Sequence, residues 1–161
     1  MMLDTQSLFS GTIAADGTRT PQAITATAIS TNVIDLRSGG SSALALADEG
    51  INGAAGGIFL VISTAQAFNN LTSLTITLES DSAAGLATAP VVHYSKTIAL
   101  AALTANTALI RVPIPSDDYK RFLGVRYTVT GTAPTTGTVN AALVFDINRN
   151  VAYPGSFTVD V

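Results

Sequence analysis

His93 is the single imidazole of this 161-residue chain, which has no cysteine and no tryptophan. A histidine acts as general base or metal ligand only with partners, and the nearest charged residue along the chain is Lys96. Alone on a strand-like run, it reads as a surface or edge residue. The Gly-x-Ser-x-Gly turn of a serine nucleophile is absent; Gly39-Gly40-Ser41-Ser42-Ala43 shares only its composition. Carboxylates adjoin at Asp48-Glu49 and Asp117-Asp118, and Glu79 and Asp81 stand near a strand end. Acids that hydrolyse glycosides face each other across a cleft, whereas neighbours on a loop point apart. No EF-hand spacing marks a calcium loop.

Gly50-Ile51-Asn52-Gly53-Ala54-Ala55-Gly56-Gly57 has the composition of a phosphate-cradling loop. Such loops lead into a helix whose N-terminus faces the anion; this one leads into a strand and lacks the Gly-Lys-Ser/Thr signature. It reads as a crossing between sheets. Asn70-Leu71-Thr72 fits a glycosylation sequon, but Met1-Met2-Leu3-Asp4-Thr5-Gln6 shows neither basic nor apolar signal regions. The densest charge cluster is Ser116-Asp117-Asp118-Tyr119-Lys120-Arg121. Such a run is usually a solvated loop. An aromatic beside an arginine is also a frequent interface anchor, which makes Tyr119 and Arg121 candidate contact residues.

The elements that must position these residues are strands. In Ser73-Leu74-Thr75-Ile76-Thr77-Leu78-Glu79-Ser80, the aliphatic residues alternate strictly with Thr and Glu. That period of two fits a sheet with one dry face and one wetter face. Comparable runs cover 22–30, 33–36, 58–64, 93–100, 108–115, 122–131 and 137–147, with Gly, Pro, Asn, Asp and Ser between them. Residues 58–64 are apolar on both faces, as in a strand deep in a sandwich or beneath another element. Pro113 and Pro115 remove ladder donors, so 108–115 lies on an edge or ends there. Residues 65–71 read as a turn or short helix, and 38–57 as a long connection with a helical turn at 43–48. About eight strands without an intervening amphipathic helix predict an antiparallel all-β sandwich of jelly-roll type. One domain spans 1–161: a lead-in at 1–21, the sandwich at 22–147 and a tail at 148–161.

Composition narrows the functional classes. Hydrophobic residues make up 47% and charged residues 12%, about half the usual charged share of roughly 25%. The chain can bury a core, but its surface carries little charge, so part of that surface is expected to meet a partner or other copies of the chain. Net charge is −3, and the basic residues are scattered rather than arranged in a stripe, which argues against nucleic acid. Mean hydropathy is +0.41, yet the longest aliphatic stretches, 58–62 and 98–103, fall far short of the roughly 20 residues that span a bilayer.

With the strands placed, Leu3-Asp4-Thr5-Gln6-Ser7-Leu8-Phe9-Ser10 and Ala26-Thr27-Ala28-Ile29-Ser30-Thr31-Asn32-Val33-Ile34-Asp35-Leu36 resemble blocks of the capsid cement proteins of short-tailed bacteriophages. So do Phe59-Leu60-Val61-Ile62, Ala67-Phe68, the run 74–79, Tyr127-Thr128-Val129-Thr130-Gly131-Thr132-Ala133, the run 137–147 and Ala152-Tyr153-Pro154. The stretch between Phe9 and Gln22 is longer than that family's usual form. The resemblance implies a jelly-roll protein on the outer surface of a virion capsid, made in the bacterial cytoplasm. It would bridge subunits of the major capsid protein as a homodimer, or as a homotrimer in second place.

The expectation is therefore a non-enzymatic capsid cement, or decoration, protein without cofactor or metal, and without nucleic-acid or membrane partner. Its candidate contact residues are Tyr153 and Phe157 in the tail, then Tyr119 and Arg121. The alternative is a carbohydrate- or host-binding jelly-roll module, which would need exposed aromatic platforms; aromatics are only 6% of the chain. A hydrolase built on the sandwich would require His93 to meet Glu79 or Asp81 in a deep pocket.

Overall fold

The alternation around Leu74 is realised as a long central strand. Leu74, Ile76 and Leu78 are fully buried, while Thr75 and Thr77 on the opposite face are partly open. A computed structural model describes residues 7–36, 58–115 and 117–144. Its strands are β1 (Leu8–Ser10), β2 (Thr12–Ile13), β3 (Arg19–Thr20), β4 (Gln22–Ala23), β5 (Ala28–Ile29), β6 (Ile34–Asp35), β7 (Phe59–Gln66), β8 (Leu71–Asp81), β9 (Val91–Ala99), β10 (Ala108–Pro113), β11 (Phe122–Gly131) and β12 (Thr138–Val144). A single 3-10 turn, Leu100–Ala102, follows β9.

One sheet runs β1-β12-β7-β10, with β4 also on β12; the other runs β5-β11-β8-β9, with β6 also on β11. Every pairing is antiparallel. β1 and β4 behave as one interrupted ribbon along β12, and β5 and β6 as another along β11. With those merged, the first, last, third and sixth ribbons form one sheet, and the second, seventh, fourth and fifth form the other. That is the double Greek-key order of a jelly roll.

Leu60, Ile62, Val139 and Leu143 from the first sheet meet Leu74, Ile76, Leu78, Val125 and Tyr127 from the second in one core. Each such side chain removed from water contributes on the order of 1.5–3 kcal/mol. A smaller cluster on the other face of the first sheet joins Leu8, Ala142 and Val144, with Ile13, Phe59 and Val61 packed against it. The two-faced apolarity of 58–64 thus has a concrete cause: β7 lies between the main core and this second cluster. At the open side of the sandwich, Lys96 of edge strand β9 donates from Nζ to the Leu109 carbonyl of edge strand β10 at 2.8 Å. A lysine at an edge also discourages unwanted strand pairing.

Two expectations need correction. The predicted lead-in contributes β1, whose Leu8 and Phe9 are fully buried; a strand of three residues is too short to show a period. The single strand predicted over 22–30 is two, because the chain leaves β12 after Ala23 and joins β11 at Ala28. Ile24 stays buried, but Ala26 between the two is exposed. Of the turn or short helix expected over 65–71, the structure has the turn: β7 continues to Gln66, and Asn70 turns the chain with a φ of 65° before β8 begins. The connection at 38–57, the tail at 148–161 and residues 145–147 of the last predicted strand lie outside the described residues.

Candidate functional site

β8 ends in three consecutive buried polar residues, Glu79, Ser80 and Asp81. Buried polar groups need partners, and each of these finds a different set. Glu79 accepts from Arg126 Nε at 2.9 Å and from the Thr77 hydroxyl at 2.6 Å, an ion pair between neighbouring strands β8 and β11. Asp81 accepts from the backbone N–H groups of Ser82 at 2.6 Å and Thr88 at 2.8 Å, with Ala89 at 3.3 Å. Burial pushes its carboxyl up, but these N–H donors more than offset that and hold it below the ordinary value.

Ser80 organises the candidate site. Its Oγ lies 2.7 Å from His93 Nε2, and His93 Nδ1 lies 2.7 Å from Asp117 Oδ2. The backbone N–H of Lys120 donates to Ser80 Oγ at 2.9 Å. The hydroxyl proton is thereby free to point at Nε2, an arrangement that pairs with the Nδ1–H tautomer facing the carboxylate. Asp117 is held below the ordinary carboxyl value, first by the His93 hydrogen bond and then by the Asp118 N–H. The His93 side chain has no exposure, and that of Asp117 is half exposed.

The serine, histidine and aspartate come from three places: the end of β8, the start of β9 and the loop between β10 and β11. In geometry they follow the nucleophile–base–orienter order of acyl-transfer enzymes. Access decides what they can do. Ser80 has zero exposure, and its oxygen already accepts an N–H from the segment that covers it. An incoming carbonyl carbon could reach it only after a local opening. Chemically, the relay is a latch that fastens the β10–β11 loop to the end of the second sheet. His93 meets neither Glu79 nor Asp81; it meets Ser80 and Asp117, 13 and 24 residues away.

The two candidate contact residues from the charge cluster sit on the same loop. Tyr119 is half-buried against the core, its ring centroid 4.1 Å from that of His93. Its hydroxyl donates to the Pro115 carbonyl at 2.6 Å, and burial together with the Asp117 charge raises its pKa. Arg121 grips Asp35 of β6 with two N–H groups at 3.0 and 2.8 Å. Its guanidinium also stands 4.9 Å above the Phe122 ring. The cluster is thus a pinned surface, half of whose Arg121 side chain remains open to water. Tyr153 and Phe157 lie outside the described residues. Ser80 escaped sequence reasoning because nothing local distinguishes it from the other serines of a Thr/Ser-rich chain.

Among the described residues, no three His, Asp or Glu side chains gather as a metal cluster would require. Among the described residues, the exposed large apolar side chains are Val91 and Val92, at the start of edge strand β9, and no exposed aromatic platform accompanies them. A family model described as Bbp16 matches residues 18–160, from just before β3 to the end of the last predicted segment. No curated protein matches the chain.

Proposed function

The chain belongs to the Bbp16 family, a phage-related family, and from that premise we propose that it is a capsid cement protein that binds assembled shells from outside and bridges major capsid protein subunits. The observation that carries this reading is how the polar groups at the end of the second sheet are used. Ser80, His93, Asp117, Tyr119, Arg121 and Asp35 are spent on holding one loop rigid rather than on lining a substrate cleft. A stiff double sheet with pinned loops loses little conformational entropy on docking.

Bridging turns modest contacts into a clamp. Once one patch docks, the others bind at high effective concentration. A protein that binds the assembled shell but not dispersed subunits stabilises the shell by linkage. Each contact would bury on the order of 800 Å² per partner. Tyr119 and Arg121 are the proposed anchors on the described surface, Tyr153 and Phe157 those in the tail, and a homodimer is the proposed assembly.

The test is to mix the purified chain with mature and immature shells, count bound copies and heat the mixtures. Saturable occupancy together with a higher disruption temperature supports the reading. Absence of binding to any shell state removes it. A second reading, a serine hydrolase, is favoured only by the Ser80–His93–Asp117 geometry, and it demands an opening of the loop that covers Ser80.

A further inference from the structure

On the face of the first sheet away from the main core, Arg111 of β10 and Arg19 of β3 flank a recess of about 190 Å³. Its apolar floor is Val61, Ala142 and Val144, and Asn140 completes the wall. The arrangement follows from register. Ala142 pairs with Val61, which pairs with Arg111, so all three side chains emerge on one face. Arg19 arrives from the other side on the β2–β3 hairpin, which departs between β1 and β4.

These two arginines differ from the other described cations. Lys96, Lys120, Arg121, Arg126 and His93 each hold a carbonyl or a carboxylate. The Arg111 side chain holds none, and Nε and Nη2 of Arg19 are buried without a hydrogen-bond partner. The Oδ1 of Asn140 is likewise buried and unpartnered. Burial lowers the Arg19 pKa with nothing nearby to offset it. Desolvated, unpaired donors of this kind carry an energetic penalty that an incoming anion would relieve.

We propose that this recess is a binding site for the acidic side chain of an extended segment of another protein. A carboxylate takes two N–H groups from a guanidinium in one plane, and Arg19 and Arg111 both line this recess. Asn140 Oδ1 needs a donor, which a backbone N–H beside the acid supplies and a free inorganic anion does not. Aliphatic neighbours of the acid would rest on Val61 and Val144. The volume admits a side chain but lies below the roughly 300–1,000 Å³ of small-molecule sites.

The test titrates the isotopically labelled full chain with acetyl-Val-Glu-Val-amide, its Gln counterpart and inorganic phosphate, following the Asn140 side-chain amide and the arginine Nε signals. The acidic peptide should shift these signals saturably. The Gln peptide and phosphate should bind at least about tenfold more weakly, and Arg19→Gln and Arg111→Gln should each weaken the acidic peptide about tenfold. Equal binding of the Gln peptide, tighter binding of phosphate, or no saturation by about 10 mM peptide overturns the proposal. So does a fall in Tm of more than about 5 °C in Arg19→Gln, because the guanidinium would then serve the fold. None of these outcomes depends on shell binding.

Discussion

Ser10 Oγ and Tyr127 OH, 117 residues apart in the chain, meet at 2.7 Å inside the sandwich. Ser10 belongs to β1 in the first sheet and Tyr127 to β11 in the second, and neither has any exposure. This bond ties the start of the described chain to the centre of the opposite layer. Burial raises the Tyr127 pKa even though the Ser10 bond opposes it, so the phenol stays neutral and able to donate. Tyr127→Phe leaves the serine hydroxyl buried without a partner and is expected to cost about 1–2 kcal/mol in chemical denaturation. Adding Ser10→Ala should recover part of that loss. A double mutant whose loss equals the sum of the two single losses would refute the coupling.

Acid should weaken the fold through Asp81 and Asp117. Both carboxyls lie below the ordinary value of 3.8 when folded. The unfolded chain therefore takes up protons first as pH falls, and protonation favours it. Their contribution is fully present above about pH 4 and is lost as pH drops through the lowered folded values. Melting temperature measured from pH 7 to pH 2.5 should fall steeply at the acid end. Asp81→Asn should flatten that fall; an unchanged slope would show that Asp81 does not carry it.

The latch around Ser80 makes two opposite demands on reactivity. A buried Oγ should resist a fluorophosphonate probe in the native protein, and stoichiometric labelling at Ser80 would establish the hydrolase reading instead. Ser80→Ala removes the acceptor of the Lys120 N–H and the partner of His93 Nε2. Tryptic cleavage after Lys120 and Arg121 should then quicken about tenfold, since losing about 1.4 kcal/mol of local closure raises the open population by that factor. Unchanged cleavage would mean that Ser80 does not hold the loop.

Gly137 sits just before β12 with a φ of +135°, and a Cβ there would lie 2.3 Å from Phe68 Cδ1. The residue also gives its carbonyl to the Ile24 N–H. Gly137→Ala is expected to destabilise by about 2 kcal/mol from backbone strain and displacement of the phenyl ring. A melting temperature equal to that of the parent would show that the turn relaxes freely.

Much of the architecture was legible because sheets write a short-range period. The alternation of Leu74, Ile76 and Leu78 located β8, and the run from Phe122 to Gly131 coincides with β11. Elements of two or three residues leave no period to read. β1 and the break between β4 and β5 were missed for that reason. The candidate site was less legible still. Tyr119 and Arg121 stand out as an aromatic beside a cation, but Ser80, His93 and Asp117 are joined only by the turns that fold β9 back on β8 and bring the β10–β11 loop over both. No spacing in the chain encodes that convergence, and the same holds for Arg19 and Arg111, brought to one recess by a hairpin and a sheet register.

The pairing of β1 with β12 has a mechanical consequence. Leu8 lies opposite Ala142, and Ser10 opposite Ala141, so the N-terminal end of β1 and the C-terminal end of β12 lie side by side. Tension pulling Leu8 away from Val144 would load that ladder like a zipper, breaking its rungs one after another instead of in parallel. Forces spread across the flat faces meet no such weak seam. The molecule would therefore peel open most readily if edge strand β1 were pulled off its neighbour β12.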